Sequence, residues 1–287
     1  MAFIEGIIQY DFLQKALLTS VMVGIICGAI GCFIILRGMA LMGDAISHAV
    51  LPGVAISYAL GINFFFGAVF TGVLTAMAIG FVSQNSRIKQ DTSIGIMFTA
   101  AFAMGVILIT VLESSTDLYH ILFGNVLAVR PSDMWITLAI GLVVLGSIYL
   151  FYKELLVTSF DSVMASVYGL PVRLIHYFLM ALLTMVTVAS LQTVGIVLVV
   201  AMLITPAATA YLLTDRLSTM VFLASAIGAV SAVIGLYFSY TYNLASGATI
   251  VLAATALFII AFVFSPKHGL LWKKISSKKK QTELANL

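Results

Sequence analysis

Ala16-Leu-Leu-Thr-Ser-Val-Met-Val-Gly-Ile-Ile-Cys-Gly-Ala-Ile-Gly-Cys-Phe-Ile-Ile-Leu36 runs for 21 residues without a charge. A helix crosses the hydrocarbon core of a bilayer with about 20 apolar residues, so this run is long enough to span. Comparable runs recur near 49–66, 66–83, 93–112, 133–152, 175–192, 194–213, 219–241 and 246–265. The 287-residue chain is 62% hydrophobic and 9% charged, with a mean hydropathy of +1.16. Soluble domains are about 25% charged, so that class is excluded. The expected fold is all-α, a polytopic transmembrane helical bundle of eight or nine spans. Residues 1–269 form one membrane domain and 270–287 a basic cytoplasmic tail.

Outward from the first run, Lys and Arg fall at alternate connections: Arg37, then Arg87 and Lys89, then Lys153 and Arg173, then Arg216, then the tail from Lys267. The connections near 61–65, 192–195 and 240–246 carry neither. Positive-inside bias puts the basic set in the cytoplasm. Nine spans satisfy this with the N-terminus outside; eight follow if 175–213 is one run, broken only by Gln192, Thr193 and Gly195. The first 15 residues carry Glu5 and Asp11 and no basic n-region with a cleavage site, so no cleaved signal peptide is expected. The tail, Lys273-Lys-Ile-Ser-Ser-Lys-Lys-Lys280, suits the anionic cytoplasmic leaflet. Lipid is therefore its expected partner, and nucleic acid is not needed to explain it.

Just beyond Arg37 lies Met42-Gly-Asp-Ala-Ile-Ser-His-Ala-Val-Leu-Pro-Gly53. Asp44 and His48 stand at i and i+4, on one helix face, where carboxylate and imidazole can converge on one ligand. Ionisable groups inside a membrane are expensive and ordinarily face a cavity or a partner, so the pair is read as a site. The competing reading is a hydrogen bond that only ties two helices together. Pro52, four residues past His48, supports a bent element there.

Two connections are more than turns. Glu113-Ser-Ser-Thr-Asp-Leu-Tyr-His-Ile-Leu-Phe-Gly-Asn-Val-Leu127 falls outside and is too short to span. Glu113, Asp117 and His120 either gather cations at an outer mouth or simply face water on an amphipathic surface helix. The cytoplasmic stretch 153–176 is long and mixed, punctuated by Gly169-Leu-Pro171, and its His176 beside Arg173 reads as interfacial. Cys27 and Cys32 are five apart, off a common face, and read as small buried hydrophobes. Glycines along the first and third spans read as helix-packing positions. No phosphate-binding glycine loop and no nucleophile–base motif is present, so no catalytic residue is expected and ATP would be hydrolysed by another subunit.

Leu36-Arg-Gly-Met-Ala-Leu-Met-Gly-Asp-Ala-Ile-Ser-His-Ala-Val-Leu-Pro-Gly-Val-Ala55 closely resembles the signature of the manganese/zinc/iron permease family of ABC importers. Residues 117–127 and Val194-Gly-Ile-Val-Leu-Val-Val-Ala-Met-Leu-Ile-Thr-Pro-Ala-Ala-Thr-Ala-Tyr-Leu212 agree with it in order. The likeness covers nearly the whole chain to about Gly269 and is nearest to the manganese branch of Gram-positive bacteria. It implies a type II importer-like fold in the bacterial plasma membrane. It further implies a homodimer working with two cytoplasmic ATPase subunits and an extracytoplasmic metal-binding lipoprotein. In that family the acid and histidine of G-D-A-x-S-H bind the metal on its path, and the role carries to Asp44 and His48. The resemblance also suggests an ATPase-coupling element near 206–218. Pro206 would end a helix and Ala207–Leu213, with Ala208 and Ala210, would lie along the surface before the turn at Asp215 and Arg216.

Donor chemistry narrows the cargo. Carboxylate and imidazole suit Mn²⁺, Fe²⁺ and Zn²⁺, whereas a copper(I) path would favour Cys and Met. The scattered methionines read as core filling. The expected function is the permease of an ATP-driven importer of divalent transition metal, Mn²⁺ first, with no permanently bound cofactor. The rival is a secondary transporter or channel that uses the same pair without ATP.

Overall fold

In the computed structural model, residues 2–112 and 126–265 are described. Helices α1 (Ala2–Gln9) and α2 (Asp11–Leu36) lead into two short helices, α3 (Met42–Ala49) and α4 (Leu51–Leu60). Then follow α5 (Phe64–Asn85), α6 (Gln90–Val111) and α7 (Pro131–Leu150). Two more short helices, α8 (Tyr152–Phe160) and α9 (Ser162–Val167), precede α10 (Val172–Val194), α11 (Ile196–Leu213), α12 (Leu217–Tyr242) and α13 (Ser246–Phe264). No strand occurs among the described residues. Among the described residues, eight helices are long and apolar enough to cross a membrane: α2, α5, α6, α7, α10, α11, α12 and α13. An all-helical answer is what lipid demands, since each backbone N–H and C=O must be satisfied within its own segment.

The run at 49–66 is not a continuous span. The chain bends at Val50, which ends α3 and begins α4, and Gly61 at φ 66° closes α4. Pro52 is the local cause, because it has no N–H for the carbonyl four residues back, that of His48. The basic residues still require a crossing here. Arg37 shares a cavity wall with residues of the α5–α6 connection and of α8, α9 and early α10, so these ends lie on one face. On the charge rule that face is cytoplasmic, and α5 starts at the opposite one. The short pair α3–α4 therefore makes the ninth crossing as a broken helix, beside eight continuous ones. The long run 175–213 does divide, at Gly195 with φ 83° and ψ 165°. We expect a cysteine at Ile62 to react with a membrane-impermeant maleimide on intact cells and one at Ile88 to stay unlabelled until the cells are opened. The reverse pattern would invert this topology.

Helix α2 is the pillar of the bundle, buried over most of its length, whereas α6 and α13 are mostly exposed. Its closest neighbour is α12. A Cβ on Gly24 would stand 2.6 Å from the backbone of Gly228, so the crossing exists only because both positions lack side chains. Tight approach of small residues drives helix association in membranes, where apolar burial alone gives no preference for protein over lipid. The same device seats the broken helix: Gly53 and Gly67 bring α4 against α5 backbone to backbone. Cys27 and Cys32 are buried, as small hydrophobes would be, and form no disulfide.

Candidate metal site

Helix α3 fixes the pair. Its first turn carries Asp44 and its last carries His48, and the two side chains meet on one face with Oδ1 and Nε2 3.5 Å apart. That separation is too long for a strong hydrogen bond, so the two donors are adjacent without being locked to each other. Asp44 is 43% and His48 26% exposed, while their helix neighbours Met42, Ala45, Ile46 and Ala49 are buried in the core. Helix α3 thus turns its apolar side inward and its donors to a cavity of about 450 Å³, lined otherwise by Ile196, Val200, Ala201 and Thr205 of α11 and by Val251 of α13. Thr205 lies nine residues into α11, roughly 14 Å from its outer end at 1.5 Å per residue. Thr205 is eight residues from the other end of α11, so the pair sits near the middle of that span.

No third His, Cys, Asp or Glu joins the two within a metal-sized cluster among the described residues. One chain thus offers one carboxylate and one imidazole. Beside His48 lie two aromatic rings of α6, Phe98 and Phe102, with ring centroids 6.2 Å and 5.6 Å away. Nothing in the sequence marks them, since phenylalanines four apart in an apolar span look the same whether they face lipid or a ligand.

The remaining sequence candidates divide. Glu113, Asp117 and His120, and the tail beyond 265, lie outside the described residues. The expected surface helix after Pro206 is not found: α11 continues unbroken from Ile196 to Leu213 with Pro206 inside it. Pro206 and Ala210 are buried in the core, and Ala208 is half-buried. A proline is tolerated in a span whose neighbouring helices satisfy the freed backbone, and Pro206 is packed among them. Asp215 and Arg216 form the short turn into α12. His176 lines a second cavity of about 1040 Å³ at the cytoplasmic face together with Arg37 and Arg173. Two guanidiniums repel a divalent cation, which argues against a metal role for His176.

The short helices α8 and α9 stand where sequence reading saw only a mixed loop. Asp161 caps α9, its Oδ1 accepting from the backbone N–H groups of Val163 at 2.9 Å and Met164 at 2.8 Å. The helix then presents exposed apolar side chains at Val163, Met164, Val167 and Tyr168, next to Phe160.

Eight apolar spans, a broken ninth and an ionisable pair opening into an intramembrane cavity define a transport permease. The chain belongs to the ABC 3 transport family, which matches residues 9–265. It is 69% identical over 274 residues to the manganese transport system membrane protein MntC of Listeria monocytogenes, covering 96% of this chain and 98% of that one. It is 54% identical over 273 residues to the manganese import system permease protein ScaB of Streptococcus gordonii, covering 95% and 98%. The solved structure of PsaBC from Streptococcus pneumoniae in complex with Fab matches with a TM-score of 0.86 at 54% identity, covering 95% of this chain and 99% of that chain. The protein is a multi-pass component of a bacterial cell membrane.

Proposed function

We propose that the chain is the membrane permease of an ATP-driven importer whose cargo is Mn²⁺, with Asp44 and His48 as its transport site. The observation that carries this is the open carboxylate–imidazole pair of α3 in a member of the ABC 3 transport family. Relatives named as manganese transport and import proteins support Mn²⁺ as the cargo, and the same donors would accept Zn²⁺ or Fe²⁺. ATP is hydrolysed by a separate cytoplasmic subunit, and an extracytoplasmic metal-binding lipoprotein delivers the ion. The family favours this over an ATP-independent carrier. Uptake of ⁵⁴Mn²⁺ by vesicles holding the permease and its ATPase tests it. Accumulation should require ATP and vanish with a hydrolysis-dead ATPase; equal uptake by the permease alone along an ion gradient would establish the carrier instead.

A homodimer completes the site. An acid facing lipid near the middle of a helix costs about 2.5–3.5 kcal/mol or more. A second copy across a two-fold axis hides both acids and brings two carboxylates and two imidazoles to one ion.

The element that receives force from the ATPase is α8–α9 rather than the segment after Pro206. It protrudes at the cytoplasmic face with an unpartnered apolar side, and it is tied to the metal-bearing end of the chain. Arg37, five residues before Met42, donates from Nη2 to Thr158 Oγ1 at 2.7 Å and from Nε to Ser159 Oγ at 3.1 Å. Both hydroxyls donate onward to backbone carbonyls of α8. Burial lowers the Arg37 pKa to about 10, well above neutral, so it stays a cation. We expect Arg37→Gln to cut metal moved per ATP hydrolysed by about 10-fold, the scale of one charge-assisted contact, with Mn²⁺ binding unchanged. A wild-type ratio of uptake to hydrolysis in that variant would remove Arg37 from the linkage.

A further inference from the structure

A metal-ligating histidine nearly always donates its second ring N–H to a carboxylate, a carbonyl or a water, which fixes the ring and makes the ligating nitrogen a better donor. His48 departs from that rule. Its Nε2 is the nitrogen beside Asp44. Its Nδ1, which carries the ring proton when Nε2 ligates, is buried and has no hydrogen-bond partner among the described residues. What surrounds the ring instead is aromatic. Phe102 lies perpendicular to the imidazole at an interplanar angle of 87° and Phe98 is tilted at 38°. The two are four apart on α6 and so share one face toward the imidazole.

We propose that Phe98 and Phe102 are positioning residues that hold His48 by ring packing in place of a polar partner, and so keep its grip on the cargo ion weak enough for release. The proposal rests on the reading of Asp44 and His48 as the transport site. Edge-to-face aromatic contact orients a ring, but an aromatic neighbour offers a ring N–H at most a far weaker bond than oxygen does. Nε2 consequently gains orientation without the added basicity of a hydrogen-bonded imidazole. A resident metal site needs retention, whereas a transport site must bind well enough to load and poorly enough to empty. Two rings that merely filled space beside α3 would have no such effect on the ion.

The test exploits opposite signs. Phe102→Leu removes the orienting ring, and Phe102→Gln puts an amide oxygen where Nδ1–H can donate to it. Outer-partner changes alter metal affinity by about 10–100-fold. Binding of ⁵⁴Mn²⁺ to the purified permease–ATPase complex should therefore weaken at least about 10-fold in Phe102→Leu and tighten by a similar factor in Phe102→Gln. Uptake by Phe102→Gln at saturating Mn²⁺ should fall as release slows. Phe98→Leu should follow Phe102→Leu, and melting of each complex identifies any variant that does not fold. Equal affinities in all folded variants, or weakening in Phe102→Gln as well as Phe102→Leu, would overturn the proposal. His48→Ala with wild-type Mn²⁺ affinity would instead overturn the site reading beneath it.

Discussion

Asp44→Ala and His48→Ala should each abolish metal uptake while leaving the permease folded and bound to its ATPase. Each variant deletes a donor that points into a cavity rather than into the core, so little packing is lost: Asp44 and His48 are the partly exposed members of an otherwise buried helix. If two chains meet at the site, one substitution removes two of four ligands. Losing only an outer partner costs about 10–100-fold in metal affinity, so loss of two inner ligands should exceed about 100-fold. Asp44→Ala should also make the assembly no less stable, because it removes an intramembrane carboxylate whose burial is paid for only when the ion is bound. Uptake of ⁵⁴Mn²⁺ alongside thermal melting of the complex separates the two effects. Wild-type uptake in either variant would make the pair structural.

The second large effect is expected at the cytoplasmic face. Val163→Asp or Val167→Asp should disconnect the ATPase, with Mn²⁺ binding at α3 retained. Both valines are more than 70% exposed on α9, a six-residue helix held by its Asp161 cap. Exposed valines in such a place are positioned for a partner's apolar groove. A charge forced into that contact is left unpaired and desolvated, at a cost of several kcal/mol. About 3 kcal/mol already lowers association more than 100-fold. Co-purification of the ATPase should fail in these variants and persist in Ala210 variants that fold, since Ala210 is buried among the spans. Retained ATPase binding by both aspartate variants would return the coupling element to another segment.

The sequence revealed those features that depend on composition and spacing. Uncharged runs announce spans because lipid accepts little else, and Lys and Arg at alternate ends orient them. The Asp44–His48 pair was legible because i,i+4 spacing survives any packing of the helix that carries it. Other features were less legible. At 49–66 Pro52 announced a bent element, and the chain is indeed interrupted at Val50; hydropathy alone, blind to a missing N–H, read one continuous span there. At Pro206 the opposite holds, because a proline that should stop an isolated helix sits inside an 18-residue one. Its neighbours decide that outcome, and neighbours are set by the fold. The aromatic pair beside His48 and the apolar face of α9 escaped for the same reason, since each gains meaning only from what stands opposite.

Pulsed EPR of Mn²⁺ bound to the purified permease–ATPase complex reports whether the carboxylate of Asp44 and Nε2 of His48 hold the metal ion. An imidazole ¹⁴N coupling is expected in the wild type and not in His48→Ala, together with a bound ion for every two chains. Bound Mn²⁺ that keeps the same nitrogen coupling in His48→Ala, or shows only water and carboxylate oxygens in the wild type, would contradict that ligation.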